Sequence, residues 1–325
     1  MPTFPSRSSI RILLSSAGRR VELAECFRQA AKDLEIDLWI VAADMSPEWS
    51  PACQVADAAI AVPGCLQPDF HDRIADICQS QAIDLIVPTI DTELLGYAQN
   101  RQRFRETGTD TVVASEVFIR LARNKRLTME TLPRYGIDVP ETWTWEDRHS
   151  RFSYPLIAKP VDGSCSQGIR LIGSAKDLEK YGDGFTGYLF QELCSGNEYT
   201  VNCYYEQNQC RCAIPHRRVK TRTGEVLFAE TERVAVLEEA AQKMAAIPGI
   251  DGPLCFQAFY DPQTGRCQVI EINARFGGGY PICDYAGGRF ALWLLQKRLA
   301  GVSQAHNQWT AGVRMLRYDA AVFYP

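Results

Sequence analysis

The sequence predicts an α/β fold in its first half and an α+β fold, built on antiparallel sheets, in its second half. In residues 1–115, short apolar runs alternate with helical patterns, which is the order that gives a parallel sheet with helices on both faces. Beyond residue 116, apolar runs follow one another through turn sequences, as in antiparallel hairpins. A chain of 325 residues is long enough for two or three domains.

The first half contains apolar runs that we predict as strands, and they cover residues 10–14, 37–44, 58–62, 83–91 and 111–115. Helical spacing covers residues 21–30 and 74–80. Ligands of parallel sheets bind at the carboxyl ends of the strands. The first such end reads "SSAGRR" and has one glycine where a dinucleotide fingerprint needs three, so we reject an NAD site. This loop either holds an anion or is a plain turn with solvated arginines.

The second half begins with a predicted helix over residues 116–133, followed by strand, glycine-containing loop and strand over 154–172. Two hairpins come next, a long one after the sequence "YLFQELCSGNEYTV" and a second over 255–273. The turn of the second hairpin is Asp261–Gly265, whose proline and glycine favour a reversal of the chain.

The composition excludes several classes of protein. The formal net charge is -4, which gives no overall field for holding nucleic acid or an anionic membrane. We find no apolar run of membrane-spanning length and no signal-peptide pattern, so we expect a cytoplasmic protein. The 12 cysteines are scattered without a CxxC pair, so we expect reduced thiols and no zinc site.

The stretch "VIEINARFGGGYP" (269–281) places a carboxylate and an amide two residues apart at the end of a predicted strand. Glu271 and Asn273 therefore point to the same face, and Gln257 on the partner strand is the candidate to join them. Three oxygen ligands with one charge suit Mg²⁺ that is otherwise bound by phosphates and water. The alternative is a polar pair on the surface.

Lysines provide the second candidate chemistry. Lys159 ends an apolar strand and precedes a loop of small residues, 160–168, whose backbone N–H groups suit a phosphate. The loop is not a Walker sequence. The alternative for Lys159 is a strand-end lysine whose ammonium group is solvated, and the alternative for Lys125 is a solvated lysine on a helix.

The order of these pieces resembles the ATP-grasp superfamily over residues 116–290. The pieces are Asn124-Lys125, "IAKPVDGSCSQG", "FQELCSGNEYTV" and "CFQAFY…VIEINAR". The last piece is most similar to the large subunit of carbamoyl-phosphate synthetase. The first part resembles the Rossmann-like pre-ATP-grasp domain. The implied division is 1–115 for that domain, 116–190 for the small lobe and lid, and 191–325 for the C-terminal lobe, and the ending resembles that of stand-alone ligases.

The resemblance implies a nucleotide site and a metal site. The nucleotide contacts comprise phosphate lysines, a lid over 162–168, an adenine edge and a ribose carboxylate, and they are Lys125, Lys159, Ser164, Ser166, Gly168, Gln191, Glu192, Leu193, Cys194 and Glu198. The ligands of one or two Mg²⁺ ions, with Mn²⁺ as an alternative, are Gln257, Glu271 and Asn273. Two pattern positions depart from the usual acidic residue, Asn124 and Gln257.

The implied activity is an ATP-dependent carboxylate–amine ligase that works through an acyl phosphate and releases ADP and phosphate. Arg275 and Lys159 are the implied catalytic residues, with Arg275 facing the γ-phosphate. The implied partners are a small carboxylate and a small amine, one of them an amino acid, and a homodimer stays open. The substrate candidates are Arg19 with its neighbour Arg20, Asp91, Glu93, Arg218 and Lys220 in the basic run 216–222, and Gly278. The alternatives are a non-catalytic ATP-binding protein and a carbamoyl-phosphate synthetase-like enzyme.

Overall fold

The first half of the chain folds as a parallel sheet flanked by helices. The computed structural model describes residues 9–149, 152–161, 168–180, 184–185 and 187–324. Its first elements are β1 (Ser9–Ser15), α1 (Val21–Asp33), β2 (Asp37–Asp44), α2 (Pro51–Val55), β3 (Ala58–Ala61), α3 (Phe70–Ser80), β4 (Leu85–Pro88), α4 (Leu94–Glu106) and β5 (Asp110–Thr111). The strand order is β3-β2-β1-β4-β5, and every neighbouring pair is parallel. The order reverses between β1 and β4, where sheets of this kind bind ligands.

The predicted strand over residues 83–91 is shorter in the structure, because β4 ends at Pro88. The carboxylate of Glu93 explains the early end. It accepts hydrogen bonds from the backbone N–H groups of Thr89, at 2.7 Å, and Ile90, at 3.2 Å. These donors therefore bind a side chain instead of a neighbouring strand.

The predicted helix over residues 116–133 is wrong in one respect, since the structure divides it into α5 (Glu116–Arg123) and α6 (Lys125–Thr131). Asn124 is the reason. Its backbone is extended, and its side chain accepts a hydrogen bond from the N–H of Leu127 at 3.1 Å. An asparagine in this role caps the helix that follows it. The break makes Lys125 the first residue of α6, where only 8% of it is exposed.

A small antiparallel sheet follows. It consists of β6 (Thr142–Trp143), β7 (Leu156–Pro160), β8 (Arg170–Ile172) and, after the short helix α7 (Ala175–Glu179), β9 (Tyr188–Glu192). The strand order is β6-β9-β7-β8. This small sheet has its own apolar cluster, which includes Trp143, Phe185 and Phe190. The predicted strand–loop–strand unit is β7 and β8, and most of its loop lies outside the described residues.

A larger antiparallel sheet completes the fold. Its region contains β10 (Asn197–Glu206), β11 (Gln209–Arg222), β12 (Glu225–Thr231), α8 (Ala235–Met244), β13 (Gly252–Tyr260), β14 (Cys267–Asn273), α9 (Tyr280–Ala286), α10 (Phe290–Ala300) and β15 (Arg314–Leu316). The strand order is β14-β13-β10-β11-β12-β15. Both predicted hairpins are present, as β10–β11 and β13–β14.

Two apolar clusters join the parallel sheet to the large sheet. One contains Ile86 of β4 together with Val201 of β10, and the other contains Leu14 of β1 together with Ile214 of β11. Among the described residues, those of the small sheet belong to neither cluster. Within the described residues, helices long and apolar enough to cross a membrane are absent. The architecture thus has one extended body and a smaller sheet beside it.

Candidate nucleotide and metal site

The proposed metal ligands share one face of the large sheet. Gln257 on β13 pairs with Glu271 on β14, and Cys255 pairs with Asn273 two residues along. The amide Nδ2 of Asn273 donates to Oε1 of Glu271 at 2.8 Å, so the two side chains are in contact as the strand period requires. Among the described residues there is no group of three or more His, Cys, Asp or Glu that could hold a metal. The oxygen donors here fit a hard cation that takes its remaining ligands from phosphate and water.

Lys159 brings the small sheet against this face. It is 6% exposed, and its Nζ donates to the carbonyl of Ile270 on β14 at 3.2 Å. The pKa of Lys159 is lowered to about 8, because burial, with help from the charge of Lys125, outweighs the opposing effect of Glu271. A buried ammonium with a lowered pKa is poised to gain from an anionic ligand such as a phosphate.

The predicted adenine edge follows β9. Gln191 shares a sheet face with Lys159, because it pairs with Ile157, and its Nε2 donates to Oγ1 of Thr142 at 2.9 Å. Leu193 is exposed, and burial raises the pKa of the Cys194 thiol to about 11. A neutral thiol at this position is compatible with a contact made through its backbone.

The side chain of Glu192 points into a network of its own. Its carboxylate accepts hydrogen bonds from the backbone of Glu141, at 2.9 Å, from Arg266, at 2.8 Å, and from Gln268, at 2.6 Å. These bonds fix the end of β9 and occupy the carboxylate, so the predicted adenine contact of Glu192 would use its backbone. Ser164 and Ser166 lie outside the described residues, whereas Gly168 is described and has φ +74°.

Two residues for which we predicted different roles are paired with each other. Glu198, the predicted ribose ligand, lies 2.9 Å from Nε of Arg218, a predicted substrate residue. Arg218 also donates to Oγ1 of Thr200 at 3.3 Å and to the carbonyl of Gly224 at 2.8 Å. The pair extends the polar face of the large sheet from the metal ligands toward β11.

Arg275 connects this face to the parallel sheet. Its NH2 and Nε donate to Oδ2 of Asp91 at 2.5 and 3.0 Å, and its NH2 also donates to Oδ1 of Asn273 at 3.2 Å. The two side chains of the ion pair are 15% and 12% exposed. Burial lowers the pKa of Arg275, but Asp91 more than compensates, and the net direction is upward. Asp91 therefore holds a charged guanidinium beside the predicted metal ligands.

Three other substrate candidates lie elsewhere. Arg19 is exposed and pairs with Glu225 at 2.8 Å, and Lys220 is exposed near the end of β11. Glu93 is 1% exposed and accepts hydrogen bonds from Ser15 and Ser16 in addition to the two backbone groups after β4. Glu93 thus fixes the loop that leads to α1. The structure brings Arg20, the neighbour of Arg19, into the site instead.

The glycine turn after Arg275 shows residues that sequence reasoning missed. A Cβ on Gly279 would lie 2.8 Å from Nε2 of His216, which is fully buried and has its pKa lowered to about 3 by burial. Arg317 donates from its NH2 to the carbonyl of Gly278. The sequence placed His216 in a basic run and gave no signal for Arg317, because its contact depends on where β15 joins the sheet.

The geometry above agrees with the comparison of this chain with known families. Residues 12–113 match the PylC-like N-terminal domain, and residues 122–279 match the ATP-grasp domain. The chain contains an ATP-grasp domain. The family, fold class and enzyme class that the sequence predicted, an ATP-grasp ligase, are confirmed. No curated protein matches the sequence.

Solved structures show how widely this ATP-grasp fold is shared. The L-amino acid ligase of Bacillus licheniformis is 17% identical and aligns with a TM-score of 0.67 over 90% of this chain and 74% of its own. The N5-carboxyaminoimidazole synthetase of Staphylococcus aureus, complexed with ADP, is 17% identical with a TM-score of 0.70 over 94% and 80%. The biotin carboxylase domain of the Hydrogenobacter thermophilus 2-oxoglutarate carboxylase, in complex with MgADP, ADP and bicarbonate, is 15% identical with a TM-score of 0.72 over 93% and 72%. At these identities the likeness concerns the fold.

Proposed function

We propose that this ATP-grasp protein joins a small carboxylate to a small amine, one of them an amino acid, through an acyl phosphate. The observation that supports the proposal most is the contact between Lys159 and β14 beside Glu271 and Asn273. It brings a buried cation next to a face of oxygen donors, and a triphosphate with Mg²⁺ needs both. The L-amino acid ligase among the structural relatives is compatible with this substrate class.

The proposed chemistry has two steps. An oxygen of the carboxylate attacks the γ-phosphorus of ATP, the bond from that phosphorus to the β–γ bridging oxygen breaks, and ADP leaves. The amine then attacks the acyl carbon, the amide bond forms, a proton leaves the nitrogen and phosphate departs. A bound Mg²⁺ would neutralise charge on the phosphates.

Residues of the chain have separate tasks in these steps. Lys159 and Lys125 hold the phosphates, and Gln257, Glu271 and Asn273 are the proposed metal ligands. Arg275 provides positive charge next to the transferred phosphoryl group, held in place by Asp91. Phosphoryl transfer is catalysed mainly by positioning and charge stabilisation, which is what these groups offer.

The test is an ADP-release screen with MgATP and pools of the twenty amino acids and of small carboxylic acids. We expect release with at least one pool, and loss of release in Lys159→Met and Glu271→Gln. The control is Lys180→Met, which removes an exposed lysine of the small-sheet region, paired with Asp177, and should leave release unchanged. If the wild-type protein binds ATP but the pools, alone and mixed, release no ADP, the proposed amide-forming reaction fails.

A further inference from the structure

Arg20 is a partly buried residue whose guanidinium lies beside the glycine turn that follows Arg275. It lies between the end of β1 and the start of α1, and its NH2 donates to the carbonyl of Thr89 at 3.0 Å. Among the described residues, no Asp or Glu forms an ion pair with it, although arginine has five N–H donors. Burial, together with the charge of Arg275, lowers the pKa of Arg20 to about 10. An unpaired charge in such surroundings costs stability, so its presence points to an anionic ligand.

Arg317 reaches the same turn from the other side. Its NH2 donates to the carbonyl of Gly278, and its NH1 lies 3.5 Å from Oε2 of Glu225. The Nε of Arg317 is buried without a hydrogen-bond partner in the described part of the chain. A Cβ on Gly278 would lie 3.7 Å from NH1 of Arg20. Two guanidinium groups thus border one glycine.

We propose that Arg20, Arg317 and Gly278 form a subsite that binds the carboxylate group of an amino acid substrate. This carboxylate group does not take part in the reaction. The proposal rests on the proposed ligase function and names the substrate class more closely. A guanidinium binds a carboxylate through two parallel hydrogen bonds. Gly278 leaves open the space next to Arg20 that any larger residue would fill.

The surrounding charges favour an amino acid over a phosphate ester. Glu225 and Asp91 both act on the charge of Arg20, and both belong to ion pairs at the rim of the same region. A phosphate dianion would be repelled by these two carboxylates. A zwitterion can instead place its carboxylate on the arginines and its amine toward Asp91 or Glu225.

The glycine turn supplies a pair of variants with opposite expectations. Gly278→Ala adds a methyl group at ordinary contact distance from Arg20, so the protein should fold while the subsite is filled. Gly279→Ala places its methyl group 2.8 Å from the fully buried His216, so this variant should lose stability. Loss of amino acid binding in a stable Gly278→Ala protein would separate the subsite from folding.

Binding is measured without turnover, by the thermal shift that the twenty amino acids produce, each compared with its α-amide. We expect at least one amino acid to stabilise the wild-type protein and its amide to have no effect. Arg20→Gln, Arg317→Gln and Gly278→Ala should abolish the shift. Arg298→Gln, which breaks a partly buried ion pair with Asp84, should lower the melting temperature but keep the shift.

The second measurement is steady-state kinetics. The Arg20→Gln and Arg317→Gln variants should lose on the order of tenfold or more in kcat/KM for the amino acid, the scale of a lost charge-assisted contact, with an unchanged Kd for MgATP. Equal stabilisation of the wild type by the amino acids and by their α-amides would overturn the subsite. It would also be overturned if Arg20→Gln lowered the melting temperature as much as Arg298→Gln does. Stabilisation by sugar phosphates instead of amino acids would assign the arginines to a phosphate. If no pool releases ADP but amino acids still stabilise the wild type and not Arg20→Gln, the ligase proposal fails and the subsite stands.

Discussion

The ion pair between Arg275 and Asp91 should contribute strongly to stability, because it is buried. Both donors of Arg275 reach the same oxygen of Asp91, and the side chains are 15% and 12% exposed. Asp91→Ala leaves the guanidinium charged and without its carboxylate. Removing one partner of a buried pair costs roughly 3–5 kcal/mol. Arg275 keeps its hydrogen bonds to Phe276 and Asn273, so we expect a cost of about 3 kcal/mol, near the lower end of that range.

A matched control is available on the surface. Arg222 and Asp319 form a pair with equally short contacts, 2.6 and 3.1 Å, but their side chains are 54% and 79% exposed. Exposed pairs contribute little, because water and salt screen them. Asp319→Ala should therefore leave the melting temperature unchanged within error. The two variants differ in burial and not in the kind of bond that they remove.

The assay is thermal and urea denaturation of both variants, together with Arg275→Ala and the Asp91→Ala/Arg275→Ala double variant. At about 2 °C per kcal/mol for a chain of this size, Asp91→Ala should lower the melting temperature by roughly 6 °C. The double-mutant cycle should give a coupling energy of about 2 kcal/mol or more. Equal shifts in Asp91→Ala and Asp319→Ala, or a coupling energy near zero, would refute the argument from burial.

Two further predictions concern buried ionisable groups. The pKa of Lys159 is lowered to about 8, so the free protein loses this charge as the pH rises through 8. The affinity for MgATP, measured by calorimetry from pH 7 to 9.5, should therefore fall by up to about tenfold per pH unit above 8. In Lys159→Arg the affinity should not change with pH over this range. A wild-type profile as flat as that of the variant would remove Lys159 from the phosphate site. Glu93→Ala should destabilise the protein in urea by several kcal/mol, because each buried donor left unpaired costs about 1–3 kcal/mol. Glu93→Gln should cost less, because its amide oxygen still accepts hydrogen bonds from the backbone N–H groups of Thr89 and Ile90. Equal losses in the two Glu93 variants would contradict this role.

Features that depend on local periodicity could be predicted from the sequence. The alternation of strand side chains placed Glu271 and Asn273 on one face. The position of Gln257 opposite Glu271 also requires a β-bulge between Gln257 and Ala258, for which the turn Asp261–Gly265 gives no signal. The break at Asn124 also had a local signal, since asparagine is a favoured helix cap, but the apolar pattern on both sides masked it.

Contacts between distant segments could not be predicted in this way. Asp91 and Arg275 are 184 residues apart, and nothing in either segment identifies the other as its partner. The contact of Arg317 with Gly278 requires β15 to join the edge of the large sheet. A strand of three residues is too short to give a sequence signal for this pairing. Charge alone also did not show that Arg20 faces the site while its neighbour Arg19 faces solvent at the surface.

The central claim is that a carboxylate takes the γ-phosphoryl group of ATP, and isotope transfer tests it directly. The protein is incubated with MgATP and a mixture of the twenty amino acids and small carboxylic acids, all of which carry ¹⁸O in their carboxyl groups, and the phosphate and nucleotide products are analysed by mass spectrometry. An acyl phosphate passes one carboxylate oxygen to phosphate when the amine displaces it. We therefore expect phosphate with one ¹⁸O, unlabelled ADP, and no labelled phosphate with Glu271→Gln. Label in AMP, or ADP release with unlabelled phosphate, would contradict the proposed mechanism.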